Sequence, residues 1–285
     1  MKVGILGGGR MGAGIAHAFL TSPGTRPGHD VVVVERDEEL RDAAAQRIRE
    51  SLSRSIDRGA IDRSLEEAVN MLRVGTDIQD FADCDLVIEA VPEDRALKSE
   101  ALALVESVLS DDAALASNTS SIPIEALGAS LTRPQNFLGL HFFNPVPSSS
   151  LVEIVSGSAT DPALIERARG WVEALGKTPI VVRDAPGFAS SRLGLVLALE
   201  AIRMLDAGVA SAEDIDRAME LGYRHPMGPL RTTDVVGLDV RLDIAEELYA
   251  TLGDRFAPPA LLRQMVADGR LGRKSGEGFY RWDDA

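Results

Sequence analysis

Cysteine is almost missing from the 285-residue sequence: Cys84 is the only one, so no disulfide can form within the chain. This usage fits a reducing compartment, and the cytoplasm is the expected location. Positive charge is scarce as well, with 30 Lys and Arg against 44 Asp and Glu and a formal net charge of -14. A nucleic acid or an anionic membrane surface needs a basic face, so neither is expected as the main partner. Any anionic ligand must instead be held by local donors. No apolar run approaches the roughly 18 residues of a membrane span. The opening "MKVGILGGGRMG" carries a lysine, but its apolar run of about four residues breaks at glycines, unlike a secretory signal. Internal repeats and low-complexity tracts are absent too.

With 45% hydrophobic residues, the chain can bury a sizeable core, and its length suggests two domains. The first half alternates short β-branched runs with helical stretches, the pattern of an α/β, doubly wound parallel sheet covered by helices. Strands are expected at Lys2–Leu6, Asp30–Glu35, Asp85–Glu89, Ala113–Ser117, Asn136–His141, Leu151–Val155 and Pro179–Val182. Helices are expected at Arg10–Thr21, Glu38–Arg58, Glu93–Leu109 and Pro162–Leu175, with a Pro/Gly loop, "TSPGTRPGHD", after the first. Beyond "RDAPGF" the strand signals stop and successive helices follow, with Ser211 placed to cap "SAEDIDRAMELG". The division expected is a Rossmann-type domain over residues 1–185 and an all-helical domain over 186–285.

Directly after the first strand, "VGILGGGRMGAGIA" places Gly7, Gly9 and Gly12 in GxGxxG spacing and opens a helix. The first glycine permits a tight turn, the second lets backbone approach a pyrophosphate, and the third lets helix pack on strand. Amide hydrogens at the helix start then face the phosphates. The second strand, "VVVVE", ends on Glu35, about where a carboxylate would accept the adenosine ribose hydroxyls and repel a 2'-phosphate. NAD is therefore expected over NADP, although the neighbouring Arg36 could receive that phosphate.

The segment "LGLHFFNPVPSSSLVEIV" places His141 near the end of one strand and Glu153 inside the next. A buried glutamate without a partner is costly. The two side chains could form a dyad in which the carboxylate holds one ring nitrogen and the other takes a proton from a substrate alcohol. His141 as an ordinary core histidine, and Glu153 as an exposed edge-strand residue, are the competing readings.

Together, "GGGRMGAGIA", "SNTSSIPI", "GLHFFNPVP", "LVEIV", "DAPGF" and "KSGEGFY" resemble the L-3-hydroxyacyl-CoA dehydrogenase family, in the same order and over almost the whole chain. The resemblance implies an NAD-binding Rossmann domain followed by a helical domain that forms a homodimer interface. It also implies oxidation of the 3-hydroxyl of an acyl-CoA to a ketone, with a short chain such as 3-hydroxybutyryl-CoA expected here. By resemblance, His141 is the general base and Glu153 its orienting partner. Ser120 hydrogen-bonds the substrate oxygen, with capping of "IPIEAL" as its other reading, and Asn144 lies near nicotinamide and base. Glu93, Lys98 and Lys274 match cofactor contacts, although Glu93 and Lys98 could equally form a solvated helix face. Ser51 and Arg58 fall where the family meets CoA. Ser191, in "PGFASSR", stands where the family has a substrate-holding asparagine, which leaves the acyl preference open. A crystallin-related dehydrogenase of free sugar acids and a non-catalytic NAD-binding protein are the alternatives.

Overall fold

The computed structural model describes residues 1–22, 30–61 and 63–282. The Pro/Gly loop read from the sequence falls mostly outside them. Two compact units are present, Met1–Asp184 and Ala185–Ala285.

In the first unit the chain runs β1 (Lys2–Leu6), α1 (Arg10–Leu20), β2 (Asp30–Val34), α2 (Glu38–Asp57), α3 (Leu65–Val69), β3 (Leu72–Gly75) and β4 (Leu86–Glu89). It continues through α4 (Arg95–Val108), β5 (Ala114–Ser117), α5 (Ile124–Gly128), β6 (Phe137–Phe142), β7 (Leu151–Ser156), α6 (Pro162–Ala174) and β8 (Thr178–Arg183). One eight-stranded sheet has the order β3-β2-β1-β4-β5-β6-β7-β8. Every neighbouring pair is parallel except β6 with β7. The first six strands follow the dinucleotide-binding order, whose direction of growth reverses between β1 and β4 and leaves a crevice at their carboxyl ends. Strands covered on both faces carry unbroken apolar runs; β4 and β5 are buried along their whole length, as is β2 after Asp30.

Helix starts are set locally. Asp37, Asp94 and Asp161 each accept a backbone amide in the first turn of α2, α4 and α6, and Pro162 occupies the first position of α6. The sequence pattern missed β3. Its "LRVG" is a four-residue edge strand with Arg73 exposed, too short and too polar on one side to register as an apolar run.

The second unit consists of α7 (Ser190–Asp206), α8 (Ala212–Tyr223), α9 (Pro229–Val236), α10 (Leu238–Leu252) and α11 (Ala260–Ala267). Leu195, Leu199, Ile202, Leu230, Leu248 and Phe256 are among its core residues. Ser211 caps α8 by accepting the Asp214 amide at 3.1 Å. The "KSGEGFY" segment folds onto α9: Asp234 accepts the amides of Phe279 and Tyr280 and the Trp282 indole, each at 2.9 Å. A Cβ at Gly278 would fall 2.2 Å from the Asp234 carboxylate. Glycine is required there so that backbone can close around the buried acid. Among the described residues, no helix is long and apolar enough to cross a membrane.

Candidate active site

Gly7 has φ +91°, in the region that favours glycine, where the chain turns out of β1. A Cβ at Gly12 would lie 1.8 Å from the Gly7 carbonyl oxygen, so α1 can approach β1 only through a glycine. At Gly9 a Cβ would meet nothing within 4 Å. The face that a pyrophosphate would approach is therefore open, and the amides of α1 begin there. Just after β2, Glu35 accepts the Gly8 amide through Oε1 at 2.6 Å. Arg47 donates to the Gly8 carbonyl at 2.7 Å, so the turn is held from both sides. Arg36 is exposed and pairs with Asp37. These features fit a dinucleotide with its ribose at Glu35.

At the carboxyl ends of β4 and β5 lies a buried ionic network. Lys98, 1% exposed, donates to Glu89 Oε1 at 2.7 Å and to the Val91 carbonyl at 3.1 Å, and lies 3.3 Å from Glu93 Oε2. Glu89 also accepts the Ser117 hydroxyl at 2.6 Å and the Val91 amide at 2.7 Å. Its burial raises the carboxyl pKa, and Lys98 and Ser117 offset this only in part. Burial would raise Glu93 too, but the Lys98 charge and donors from Thr119 and Ser120 outweigh it and hold Glu93 below its ordinary range. The solvated-face reading fails for Lys98, which sits on the buried side of α4 with Leu102 and Val105. That i, i+4, i+7 spacing was the signal available in the sequence.

Through Oε1, Glu93 accepts the Thr119 hydroxyl at 2.6 Å and the amides of Ser120 and Ser121 at 2.8 and 3.1 Å. The "NTSS" loop is thereby fixed over the strand ends. Ser120 is not a helix cap: Pro123 holds the cap position of α5, with no side-chain capping bond. Asn118 accepts the Phe142 amide at 2.9 Å and ties the end of β5 to β6. Neither Glu89 nor Asn118 was singled out from the sequence, although Glu89 ends the apolar run "LVIE" just as Glu153 interrupts "LVEIV".

His141 and Glu153 stand directly opposite each other in the antiparallel β6–β7 ladder. Such pairs bring their Cβ atoms to about 4.5–5.5 Å, within reach for side chains on the same face. The His141 Nδ1 to Glu153 Oε2 distance is 2.7 Å, with the two residues 4% and 0% exposed. Glu153 is thus not an edge residue, because β8 covers β7 on its other side. The His141 ring also packs against Phe143, centroids 4.5 Å apart. Asn144 follows in the exposed loop after β6, and the segment beyond it is pinned by Lys177, which donates to the carbonyls of Val146 and Ser149 at 2.6 and 2.5 Å.

Ser51 is half-buried where α2 packs on α1, its hydroxyl 3.0 Å from Nδ1 of His17, and Ser55 lies 3.5 Å from the other ring nitrogen. Burial, with the Lys177 and Arg54 charges, lowers the His17 pKa to about 4. Arg58 is exposed at the end of α2, two turns beyond Ser51. In the second unit, Ser191 is half-buried in the first turn of α7, and Lys274 is ion-paired with Asp239.

An open glycine turn at the switch point of this sheet, with a buried histidine–carboxylate pair at the same strand ends, defines a nucleotide-dependent oxidoreductase. Residues 2–185 match the model for the 3-hydroxyacyl-CoA dehydrogenase NAD binding domain, and residues 187–282 match that for the C-terminal domain of the same enzymes. The chain belongs to the 3-hydroxyacyl-CoA dehydrogenase family. It is 45% identical to 3-hydroxybutyryl-CoA dehydrogenase of Mycobacterium tuberculosis over 99% of this chain and 98% of that protein. Identity is 44% to a protein of Deinococcus radiodurans described as a probable 3-hydroxybutyryl-CoA dehydrogenase, over 99% and 100% of the two chains. The crystal structure of (S)-3-hydroxybutyryl-CoA dehydrogenase from Ralstonia eutropha superposes with a TM-score of 0.92 at 37% identity, covering 99% of each chain.

Proposed function

We propose that the chain interconverts short-chain L-3-hydroxyacyl-CoA and 3-ketoacyl-CoA thioesters, with 3-hydroxybutyryl-CoA as the reference substrate. The observation that carries this reading is the 2.7 Å contact between His141 Nδ1 and Glu153 Oε2 at the ligand-binding ends of the sheet, in a chain of this family. Bound NAD supplies the hydride acceptor. Gly7, Gly9 and Gly12 would hold its pyrophosphate, and Glu35 would receive the adenosine ribose. Lys274 is a further cofactor contact by family position. Glu93 and Lys98 act on the cofactor side by shaping the loop that carries Ser120.

With Nδ1 engaged by Glu153, proton transfer falls to Nε2 of His141, which takes the proton of the substrate 3-hydroxyl. Glu153 stabilises the imidazolium that results and fixes the ring orientation. Ser120 donates to the substrate oxygen and steadies the charge that develops on it, and Asn144 orients the same group. In the reverse direction the imidazolium returns the proton. Ser51 and Arg58 supply donors to CoA, Arg58 giving local positive charge that the acidic whole lacks. Ser191 is a substrate contact by family position.

Exposed Leu193, Val196 and Leu197 on one face of α7, with Val235, Val236 and Val240 nearby in sequence, support a homodimer formed through the helical unit. The single buried Cys84 supports a reducing, cytoplasmic setting. NADH oxidation is to be measured with acetoacetyl-CoA and, in parallel, with free acetoacetate and a 3-keto sugar acid. The account expects turnover that requires the thioester. Turnover of the free acids alone would select the crystallin-related reading, and none at all would select the non-catalytic one.

A further inference from the structure

A buried cation holds the turn that follows His141. The amides of Ser148 and Ser149 donate to the Pro145 carbonyl at 3.1 and 3.0 Å, so residues 145–149 close on themselves. The carbonyls left over at the end of such a turn need donors from elsewhere. Lys177, 9% exposed, supplies them: its Nζ donates to the Val146 carbonyl at 2.6 Å and to the Ser149 carbonyl at 2.5 Å. Burial lowers the Lys177 pKa, and among the described residues no acid opposes that shift. A buried ammonium without a carboxylate is costly unless hydrogen bonds replace its hydration, and here both bonds go to this one turn.

Sheet topology brings the lysine there. Because β7 is antiparallel to β6 and β8 is parallel to β7, the start of β8 lies at the same edge of the sheet as the end of β6. Lys177 directly precedes β8, whose first amide, that of Thr178, donates to the Ser150 carbonyl at 2.6 Å. The same turn rests on the glycine-rich helix α1: Val146 is 2% exposed, and a Cβ at Gly14 would lie 2.9 Å from the Val146 Cβ. At the front of the segment, the Phe142 amide is held by Asn118. Asn144 lies between these anchors, two residues before the Val146 carbonyl that Lys177 grips.

We propose that Lys177 is a positioning residue of the reaction: its ammonium locks the turn over residues 145–149 and so fixes Asn144 for its contact with the substrate. The inference rests on the reading of Asn144 given above. Without the ammonium, the two carbonyls regain partners only from water, which requires the turn to open. A misplacement of about 1 Å in a group that orients the reacting atoms can cost about 10²-fold in rate.

The test is a double-mutant cycle. Single-turnover oxidation of bound NADH by saturating acetoacetyl-CoA is compared in the full-length wild type, Lys177→Met, Asn144→Ala and the double variant, with NADH affinity measured by fluorescence. Methionine keeps a straight apolar chain in the same space and donates nothing. Lys177→Met is expected to slow the step by about 10- to 100-fold and to leave NADH affinity nearly unchanged. The double variant should be no slower than the slower single variant, because both changes remove the same contact. Losses that multiply in the double variant would overturn the proposal. So would a wild-type rate in Lys177→Met with a lowered unfolding midpoint, the result that a role in stability alone predicts. If Lys177→Met fails to fold, Lys177→Gln, which keeps an amide donor for one carbonyl, enters the same cycle with a smaller loss expected. A wild-type rate in Asn144→Ala would remove Asn144 from the mechanism and the proposal with it. No turnover in the wild type would sink the dehydrogenase reading itself, and the proposal would fall with that reading.

Discussion

His17 links burial to pH most directly. Its pKa is about 4 in the fold against an ordinary 6.5, so between these values the unfolded chain binds a proton that the native protein does not. Stability from this group is complete above pH 6.5 and is lost as the pH falls toward 4, by at most about 3 kcal/mol. Urea midpoints of the wild type and His17→Gln between pH 7 and 4 check this, the variant having the shallower acid slope; parallel curves would exclude His17 as the source. At Glu35, one oxygen holds the Gly8 amide, and the proposed ribose contact falls to the other. The enzyme should accordingly use NADH with at least about tenfold higher kcat/KM than NADPH. Equal values would show that Arg36 governs the site. Glu153 was legible because a carboxylate inside an apolar strand demands a partner, and His141 lay within one hairpin of it. His17 was not, since nothing in "GIAHAF" distinguishes a histidine facing Ser51 from one that only fills the core.

Among the elements, α4 is held to the sheet by Lys98, whose charge is shared between Glu89 and Glu93. Replacing Lys98 with Met leaves Glu89 buried without its counter-ion, a change that costs about 3–5 kcal/mol for pairs of this kind. Chemical denaturation of Lys98→Met should show a loss of that size, together with a raised KM for acyl-CoA as the loop carrying Ser120 loosens. A loss below about 1 kcal/mol would mean that the pair contributes little, as exposed pairs do. The parallel strands β1, β2, β4, β5 and β6 were readable because both faces are covered and the apolar runs are continuous. The edge strand β3 and the short helix α3 were not, since five residues or fewer cannot display a period and pairing decides their state.

Over the whole molecule, the acidic surface and the exposed α7 face argue for different partners. A net charge of -14 turns away polyanions, and the apolar face invites a second copy. Light scattering at micromolar concentration should report twice the 30.5 kDa chain mass, and a value near one chain would contradict the dimer. The central claim is that the His141–Glu153 pair performs the proton transfer. It is tested most directly by steady-state reduction of acetoacetyl-CoA in wild type and His141→Gln, with NADH affinity measured separately by fluorescence. The account predicts a fall in turnover of about 10² to 10⁴ with NADH affinity nearly unchanged. Near-normal turnover in the variant would contradict it and hand the proton to another residue.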